Sequence, residues 1–167
     1  MKIYISSSWK NRGQVRVMAL DLREMGHEVY DFTDPACRKT PEIPPEKFPE
    51  QFNPLKHDYR QYLNRPEWRA AVSENREAIK WANLIILLLP CGIDATADWA
   101  LGVGMGKVTV VVGHPVAGER SPVHLWAEKM FDDTNRLYKW IRNDTKCLGV
   151  SSCGYCDDSC ISNRLNP

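Results

Sequence analysis

Two aspartates at helical spacing are the first residues in this sequence that could do chemistry. Asp94 and Asp98 lie four positions apart in a segment that predicts a helix from about Asp94 to Met105, so they share one helical face. Like charges at this spacing repel by roughly 0.2–0.5 kcal/mol, and the helix dipole offsets part of that repulsion. Two interpretations stay open. Either Asp94 caps the helix and Asp98 is a solvated acid, or one or both carboxylates face a ligand.

A hydroxyl-rich loop follows the first predicted strand. It contains Ser6, Ser7 and Ser8, and Lys10 and Arg12 come shortly after. Small residues before a helix leave backbone N–H groups free for an anion, and the two basic side chains add positive charge. The alternative is that Ser8 or Asn11 simply caps the helix.

One amide interrupts an apolar helical stripe. Asn64-Arg65-Pro66 begins the predicted helix, with proline near the first turn. Asn75 falls on its apolar stripe, which comprises Trp68, Ala71, Val72, Ile79 and Ala82. The Asn75 amide is either satisfied in the core or available to orient a substrate hydroxyl.

Four cysteines crowd into the end of the chain with the spacing C-x5-C-x2-C-x3-C. They are Cys147, Cys153, Cys156 and Cys160, whereas Cys37 and Cys91 are isolated. Four thiolates suit a tetrahedral zinc ion. Structural zinc sites usually separate two CxxC pairs by a longer loop, so a thiol-rich appendage without metal is the alternative. A redox CxxC motif is disfavoured because no strand precedes it.

Three glycines superficially resemble a dinucleotide-binding motif. Gly102, Gly104 and Gly106 end a predicted helix and precede a strand, whereas that motif needs glycines between a strand and the start of a helix. They instead predict close helix packing and a helix stop. The four histidines show neither metal nor triad spacing, and only His114 follows a strand that ends near the expected crevice.

Alternating strands and helices must position these residues. Val15, Met18, Leu22 and Met25 recur at helical spacing, with Gly26 as a stop. The predicted strands are 2–6, 27–32, 83–90, 108–112 and a small fifth at 129–131; a short helix opens at Ser121-Pro122, and a last helix covers 134–141. The fold class predicted from this order is α/β, a doubly wound, mainly parallel sheet of about five strands, flavodoxin- or Rossmann-like.

Sheets of this class bind ligands outside the carboxyl ends of their strands, near the switch in strand order. This rule directs attention to three loops, 6–11, 90–98 and 113–115. Gly92 lies in the second loop, together with Cys91. We therefore expect a ligand crevice between these loops.

The domain organisation follows from composition along the chain. One α/β domain is expected over 1–143, with a proline-rich insertion at 33–56 and a cysteine-rich tail at 144–167. Prolines preclude a regular helix or central strand in the insertion, which is expected to be a flap over a pocket or a partner-binding surface.

Composition excludes several classes of protein. The chain has 167 residues, 43% hydrophobic and 26% charged, which are ordinary values for one soluble domain. Its 22 Lys and Arg balance 21 Asp and Glu, so neither nucleic acid nor an acidic membrane is an expected partner. The longest apolar run, 84–89, is far short of the roughly 20 residues that cross a bilayer. No apolar leader follows Met1, so we expect a cytoplasmic protein.

The order of these motifs resembles the nucleoside 2-deoxyribosyltransferase-like superfamily over about residues 1–142. Ala82-Asn83 followed by an apolar strand resembles that family's Ala-Asp and strand. Three further segments carry the resemblance: Lys2-Ile3-Tyr4-Ile5-Ser6-Ser7-Ser8-Trp9, Gly26-His27-Glu28-Val29-Tyr30-Asp31-Phe32, and Leu89-Pro90-Cys91-Gly92 through Gly106-Lys107. The cysteine tail has no counterpart.

The resemblance implies cleavage or transfer at the N-glycosidic bond of (deoxy)nucleosides or their monophosphates, in which a carboxylate attacks C1′ and a second acid assists the departing base. By position, Asp98 would be the nucleophile, where the family has glutamate. Asn75 stands at the position of the proton-donating aspartate, and Asn83 at that of a second aspartate. An amide can orient a sugar but cannot supply a proton, so Asp94 is the candidate acid.

The resemblance also implies the remaining ligand contacts. Ser6, Ser7 and Ser8 would bind the sugar or a 5′-phosphate, with Gly92 at the same crevice. Trp9 and Phe32 would stack on the base, although core packing explains Phe32 nearly as well. No cofactor is expected for catalysis, the partner is a small nucleoside or nucleotide, and a homo-oligomer is implied. The alternatives are a non-catalytic nucleotide-derivative binding protein and a protein–protein module.

Overall fold

Strands and helices alternate along the chain in the predicted order. A computed structural model describes residues 1–40, 58, 60 and 63–144. The strands are β1 (Lys2–Ser6), β2 (Glu28–Tyr30), β3 (Leu84–Leu88), β4 (Val108–Val112) and β5 (Lys129–Phe131). The helices are α1 (Arg12–Glu24), α2 (Pro66–Trp81), α3 (Ile93–Gly104) and α4 (Thr134–Asp144), with 3₁₀ helices at Trp9–Asn11 and Pro122–Trp126.

The five strands form one parallel sheet in the order β2-β1-β3-β4-β5. Ile3 of β1 lies opposite Leu84 of β3, which in turn lies opposite Val108 of β4. All five residues of β3 are buried, as expected for a central strand covered on both faces. This is the flavodoxin-like order, so the predicted doubly wound fold is confirmed.

Two apolar cores cover the two faces of the sheet. Ile3, Ile5 and Ile86 face α1 and α4, and the intervening positions Tyr4, Ile85 and Leu87 face α2 and α3. This alternation follows from the two-residue period of a strand, which sends successive side chains to opposite faces. The helix α1 contributes the apolar stripe that its sequence predicts, with Val15, Met18 and Leu22 fully buried.

Glycines end the helices and let one of them approach the sheet. Gly26 after α1 has φ +85°, and Gly106 after α3 has φ +68°, a conformation that favours glycine. A methyl group on Gly102 would overlap Cδ1 of Ile85 and lie 3.3 Å from its Cγ1. The predicted roles of these glycines in close packing and helix termination are confirmed.

Some predicted boundaries are wrong. β2 covers only 28–30, because Asp31 Oδ1 accepts the Thr33 N–H at 2.7 Å and turns the chain away from the sheet. Val72 of the predicted α2 stripe is 66% exposed, since the fully packed part of that helix is its last turns around Ile79. α4 continues past Ile141 to Asp144.

Two predicted segments lie partly or wholly outside the described residues. Of the proline-rich insertion, 33–40 is described and consists of turns and irregular backbone. The cysteine tail from 145 onwards is outside. Within the described ranges, no helix combines the length and the apolar character needed to span a membrane.

Candidate active site

The candidate site lies where the strand order reverses, between β1 and β3. The chain leaves β1 towards β2 on one side and later returns to β3 on the other, so the connections after β1 and β3 diverge. Ser6 ends β1, and the segment from Pro90 to Gly92 joins β3 to α3. The crevice between such diverging connections is where open α/β sheets bind ligands.

Asp98 is held at this site by two hydrogen bonds to the same carboxylate oxygen. The Tyr4 hydroxyl of β1 donates to Oδ2 at 2.9 Å, and the Asn75 amide of α2 donates to it at 3.0 Å. Three elements that are distant in sequence therefore converge on one carboxylate. The sequence-predicted pair of Asp98 and Asn75 is in direct contact.

Burial and hydrogen bonding shift the pKa of the Asp98 carboxyl in opposite directions. Burial raises the pKa of the Asp98 carboxyl above its ordinary value, and the negative charge of Asp94 one helical turn earlier adds to this rise. The hydrogen bonds from Tyr4 and Asn75 lower the pKa but do not cancel the rise. The repulsion that the spacing of the two aspartates predicts is therefore present, and the two donors stabilise the ionised carboxylate.

Tyr4 is a site residue that the sequence analysis missed. Its ring is buried and stacked on Tyr30 at 5.4 Å between centroids, with an interplanar angle of 10°. Burial, followed by the proximity of Asp98, raises its pKa well above the ordinary value, so Tyr4 is a hydrogen-bond donor at neutral pH. Aromatic residues are common in strands, so the run Ile3-Tyr4-Ile5 does not distinguish Tyr4 as a site residue.

Asp94 and Gly92 lie at the start of α3. Gly92 is the N-cap residue, and its carbonyl accepts the Thr96 N–H at 3.1 Å. Asp94 is the second helical residue and is exposed. The interpretation of Asp94 as the N-cap is therefore wrong, because the helix begins one residue earlier than predicted.

The three serine hydroxyls each bind protein atoms. Ser6 Oγ donates to the Ala95 carbonyl of α3 at 2.9 Å, and Ser7 Oγ donates to the Leu88 carbonyl at the end of β3 at 2.8 Å. Ser8 Oγ accepts the Lys10 N–H at 3.2 Å and so caps the first 3₁₀ helix. These bonds fix the loop after β1 against β3 and α3, and the capping interpretation of Ser8 is confirmed.

Trp9 and Phe32 lie together beside the serine loop. Their rings meet edge to face, with centroids 5.2 Å apart. Phe32 is buried, Trp9 is 39% exposed, and the Arg38 guanidinium lies 5.2 Å from the centroid of the Trp9 ring. A base that stacks on this face of Trp9 must therefore displace Arg38.

Comparison with known proteins identifies the fold. No family model matches the chain, and no curated protein matches it in sequence. Among solved structures, the chain is similar to the 2-deoxyribosyltransferase of the psychrotolerant bacterium Bacillus psychrosaccharolyticus, with a TM-score of 0.55 and 21% identity. The match covers 82% of this chain and 90% of that enzyme, which is a biocatalyst for nucleoside synthesis. The chain has the fold of a 2-deoxyribosyltransferase.

Within this 2-deoxyribosyltransferase fold, one family position lies away from the site. Asn83 is exposed at the amino end of β3, where its Oδ1 accepts the Lys2 N–H at 3.0 Å. The candidate crevice is at the opposite, carboxyl ends of the strands. Asn83 therefore joins the start of β1 to the start of β3.

The carboxylate of Glu74, which lies beside the site, was not selected from the sequence. Glu74 precedes Asn75 in α2, and it accepts hydrogen bonds from Lys39 and Thr40 beside the Tyr30 hydroxyl. Burial raises the pKa of the Glu74 carboxyl, but these bonds outweigh burial and the net shift is downward. A glutamate amid other charged residues on a helix gives no sequence signal for such a role.

The predicted zinc ligands Cys147, Cys153, Cys156 and Cys160 fall outside the described residues. Among the residues that are described, no group of three or more His, Cys, Asp or Glu side chains could hold a metal ion. Cys91 is buried in the loop after β3. Its backbone N–H donates to Glu119 at 3.0 Å, which joins the loops after β3 and β4.

Proposed function

We propose that the chain cleaves or transfers at the N-glycosidic bond of (deoxy)nucleosides or nucleoside monophosphates, with Asp98 as the nucleophile. The geometry around Asp98 is the observation that carries this proposal. Both hydrogen bonds fall on Oδ2, and among the described residues Oδ1 has no hydrogen-bond partner. A carboxylate fixed through one oxygen and open at the other suits attack on carbon.

In the proposed reaction, Oδ1 of Asp98 forms a bond to C1′ of the sugar while the bond from C1′ to the base nitrogen breaks. The base leaves with the electron pair and takes a proton from an acid, for which Asp94 is the candidate. Water or a second base then attacks C1′ and gives its proton to the ionised Asp94, while the bond from C1′ to Asp98 Oδ1 breaks and releases the carboxylate. Two successive inversions retain the configuration at C1′, as in retaining glycosidases.

The groups around Asp98 suit this chemistry. Hydrogen bonds from Tyr4 and Asn75 orient the carboxylate before the substrate binds, which lowers the entropic part of the barrier. Asn75 is proposed to orient the sugar as well, since its amide carbonyl remains an acceptor while the NH₂ group donates to Asp98.

The substrate is proposed to lie over the loop after β1. The serine hydroxyls are occupied, so the residues Ser6, Ser7 and Ser8 would contact the sugar or a 5′-phosphate through their backbone and the remaining hydroxyl lone pairs. Gly92 lets α3 begin close to the ligand. Trp9 and Phe32 form the aromatic side of the pocket for the base.

The proposal gives a small nucleoside or nucleotide as the ligand. No cofactor takes part in the proposed reaction. A homo-oligomer is what the resemblance implies, and a location in the cytoplasm is what the sequence predicts; both remain proposals.

Release of free base from a panel of deoxynucleosides and their monophosphates, followed by chromatography, tests the proposal. The native chain should release base, and Asp98→Ala should abolish the release. Glu77→Gln is the control, because Glu77 is an exposed residue of α2. Mass spectrometry of protein quenched during turnover should find one deoxyribosyl group on the peptide that contains Asp98. A fully active Asp98→Ala variant would refute the assignment.

The second candidate is a non-catalytic nucleotide-derivative binding protein. Asn75 favours it, because the amide at this position cannot donate a proton to a leaving base. Tight binding of a nucleotide by the native chain, with no base released from any member of the panel, would support this candidate over the enzyme.

A further inference from the structure

We propose that Glu74 and Tyr30 are positioning residues, which hold Tyr4 and through it set the orientation of the Asp98 carboxylate. This inference rests on the proposed role of Asp98. It adds two residues, one on α2 and one on β2, that act on the reacting carboxylate through a ring contact rather than by a hydrogen bond to Asp98 itself.

Glu74 is the acceptor at the centre of a small hydrogen-bond cluster. The Lys39 N–H donates to Oε1 at 2.6 Å, and the Thr40 N–H donates to Oε2 at 2.9 Å, alongside the Thr40 hydroxyl. The Tyr30 hydroxyl lies beside this carboxylate, and burial, followed by the negative charge of Glu74, raises the pKa of Tyr30. Three donors on one carboxylate fix both its rotamer and the groups that it binds.

Tyr30 restrains Tyr4 through a stacking contact between their rings. The two residues are directly paired on neighbouring strands, and their rings are nearly parallel, with centroids 5.4 Å apart. With its hydroxyl beside the Glu74 carboxylate, the stacked Tyr30 ring limits the rotation of the Tyr4 ring on one side. The Tyr4 hydroxyl is the group that donates to Asp98 Oδ2 at 2.9 Å.

Such positioning matters more for an aspartate than for a longer side chain. Asp98 reaches about one methylene less far than the glutamate of the resembled family, and a misplacement on the order of 1 Å can lower a rate by about 10²-fold. A short nucleophile has fewer rotatable bonds with which to correct an error. The Asp98 carboxylate must therefore be positioned by neighbouring side chains, and the Tyr4 hydroxyl of β1 is one of the donors that position it.

Two variants separate positioning from a simple change of charge. Tyr30→Phe keeps the ring and removes the hydroxyl that lies beside Glu74. Glu74→Gln removes the negative charge and weakens the cluster, since an amide nitrogen cannot accept the donors. Loss of a nearby negative charge by itself lowers the pKa of Asp98, whereas a weakened Tyr4 hydrogen bond raises it, so the two explanations differ in sign.

The titration of the Asp98 carboxyl carbon, followed by ¹³C NMR on the full chain and assigned with Asp98→Asn, is the decisive measurement. We expect the pKa of Asp98 to rise in both Tyr30→Phe and Glu74→Gln, with the double variant close to either single one. Glu77→Gln, three residues further along α2 and exposed, should leave it unchanged.

Kinetics supply the second readout. Both variants should lower kcat for base release by about tenfold with KM within about twofold, less than a full 1 Å displacement would cost. An Asp98 titration that is unchanged in both variants, or that moves downward in Glu74→Gln, would overturn the inference. Absence of base release from the native chain would instead defeat the proposed function, while the titration would still decide the positioning role.

Discussion

Replacement of Gly102 by alanine tests whether close contact between α3 and the sheet places Asp98. A methyl group at this position would overlap Cδ1 of Ile85, which is fully buried in β3. Gly102 is four residues after Asp98 on the same helical face. Any movement of α3 that relieves the overlap therefore moves Asp98 relative to Tyr4.

The expected magnitude is the difference between two opposing effects. Overpacking of a core by one methyl group costs about 1–3 kcal/mol, whereas alanine in place of glycine within a helix gains about 1 kcal/mol. Gly102→Ala should therefore lower the free energy of unfolding by roughly 0–2 kcal/mol. Gly104→Ala is the matched control, because nothing lies within 4 Å of the methyl group there.

Urea unfolding of both variants measures these effects. Gly104→Ala should be stabilised and Gly102→Ala destabilised, so that the two differ by about 1–3 kcal/mol. Ile85→Val removes the overlapping Cδ1 atom, and the double variant should be more stable than the sum of the single changes predicts. Gly102→Ala should also release base more slowly than Gly104→Ala.

Equal stabilisation by Gly102→Ala and Gly104→Ala would refute the packing argument. Additive effects of Gly102→Ala and Ile85→Val on the free energy of unfolding would refute the specific contact between position 102 and Cδ1 of Ile85. Destabilisation without loss of base release would show that the position of Asp98 does not depend on how closely α3 packs against the sheet.

Three further predictions concern the carboxylate and the tail. Because burial raises the pKa of Asp98, its protonated form contributes stability that is lost as the pH rises through the folded-state pKa. Asp98→Asn should therefore be more stable relative to the native chain at about pH 7 than at about pH 3. A difference in urea unfolding that does not change with pH would contradict this. Asn75→Asp replaces a donor 3.0 Å from Asp98 with a second carboxyl, so the acid limb of the pH–rate profile for base release should move to higher pH, and an unmoved limb would count against the contact. If the tail cysteines bind zinc, the purified chain should carry close to one zinc per chain by elemental analysis and Cys156→Ser should lower it, whereas metal-free protein with freely titrating thiols would exclude the site.

Much of the fold was predictable because apolar patterning dominates it. The uninterrupted apolar run of β3 favours a strand buried on both faces, and Val15, Met18 and Leu22 mark the buried side of α1. Gly26 and Gly106 mark helix ends because their positive φ suits glycine. Strand ends were less predictable, since the Asp31 carboxylate accepts the N–H and the hydroxyl of Thr33 and so ends β2 early.

The site was predictable only where it departs from a pattern. Asp98 stands at the position of a family glutamate, and Asn75 interrupts an apolar stripe, so both could be selected from the sequence. Tyr4 and Glu74 could not be. Tyr4 occupies a strand position where an aromatic ring is ordinary, and the partners of Glu74 come from 34 or more residues earlier in the chain. Such contacts are decided by the tertiary structure.

The two departures from the family pattern meet in one hydrogen bond. An ionised aspartate at position 75 would repel the Asp98 carboxylate, and it would bind Asp98 only while one of the pair stays protonated. The Asn75 amide donates to Asp98 Oδ2 at 3.0 Å whatever the pH, so the proposed nucleophile keeps this hydrogen-bond partner across the pH range. An amide at position 75 cannot supply a proton to the leaving base of the proposed reaction. Proton donation must then come from another group, and this is why Asp94, rather than the residue at 75, carries that role in the proposed reaction.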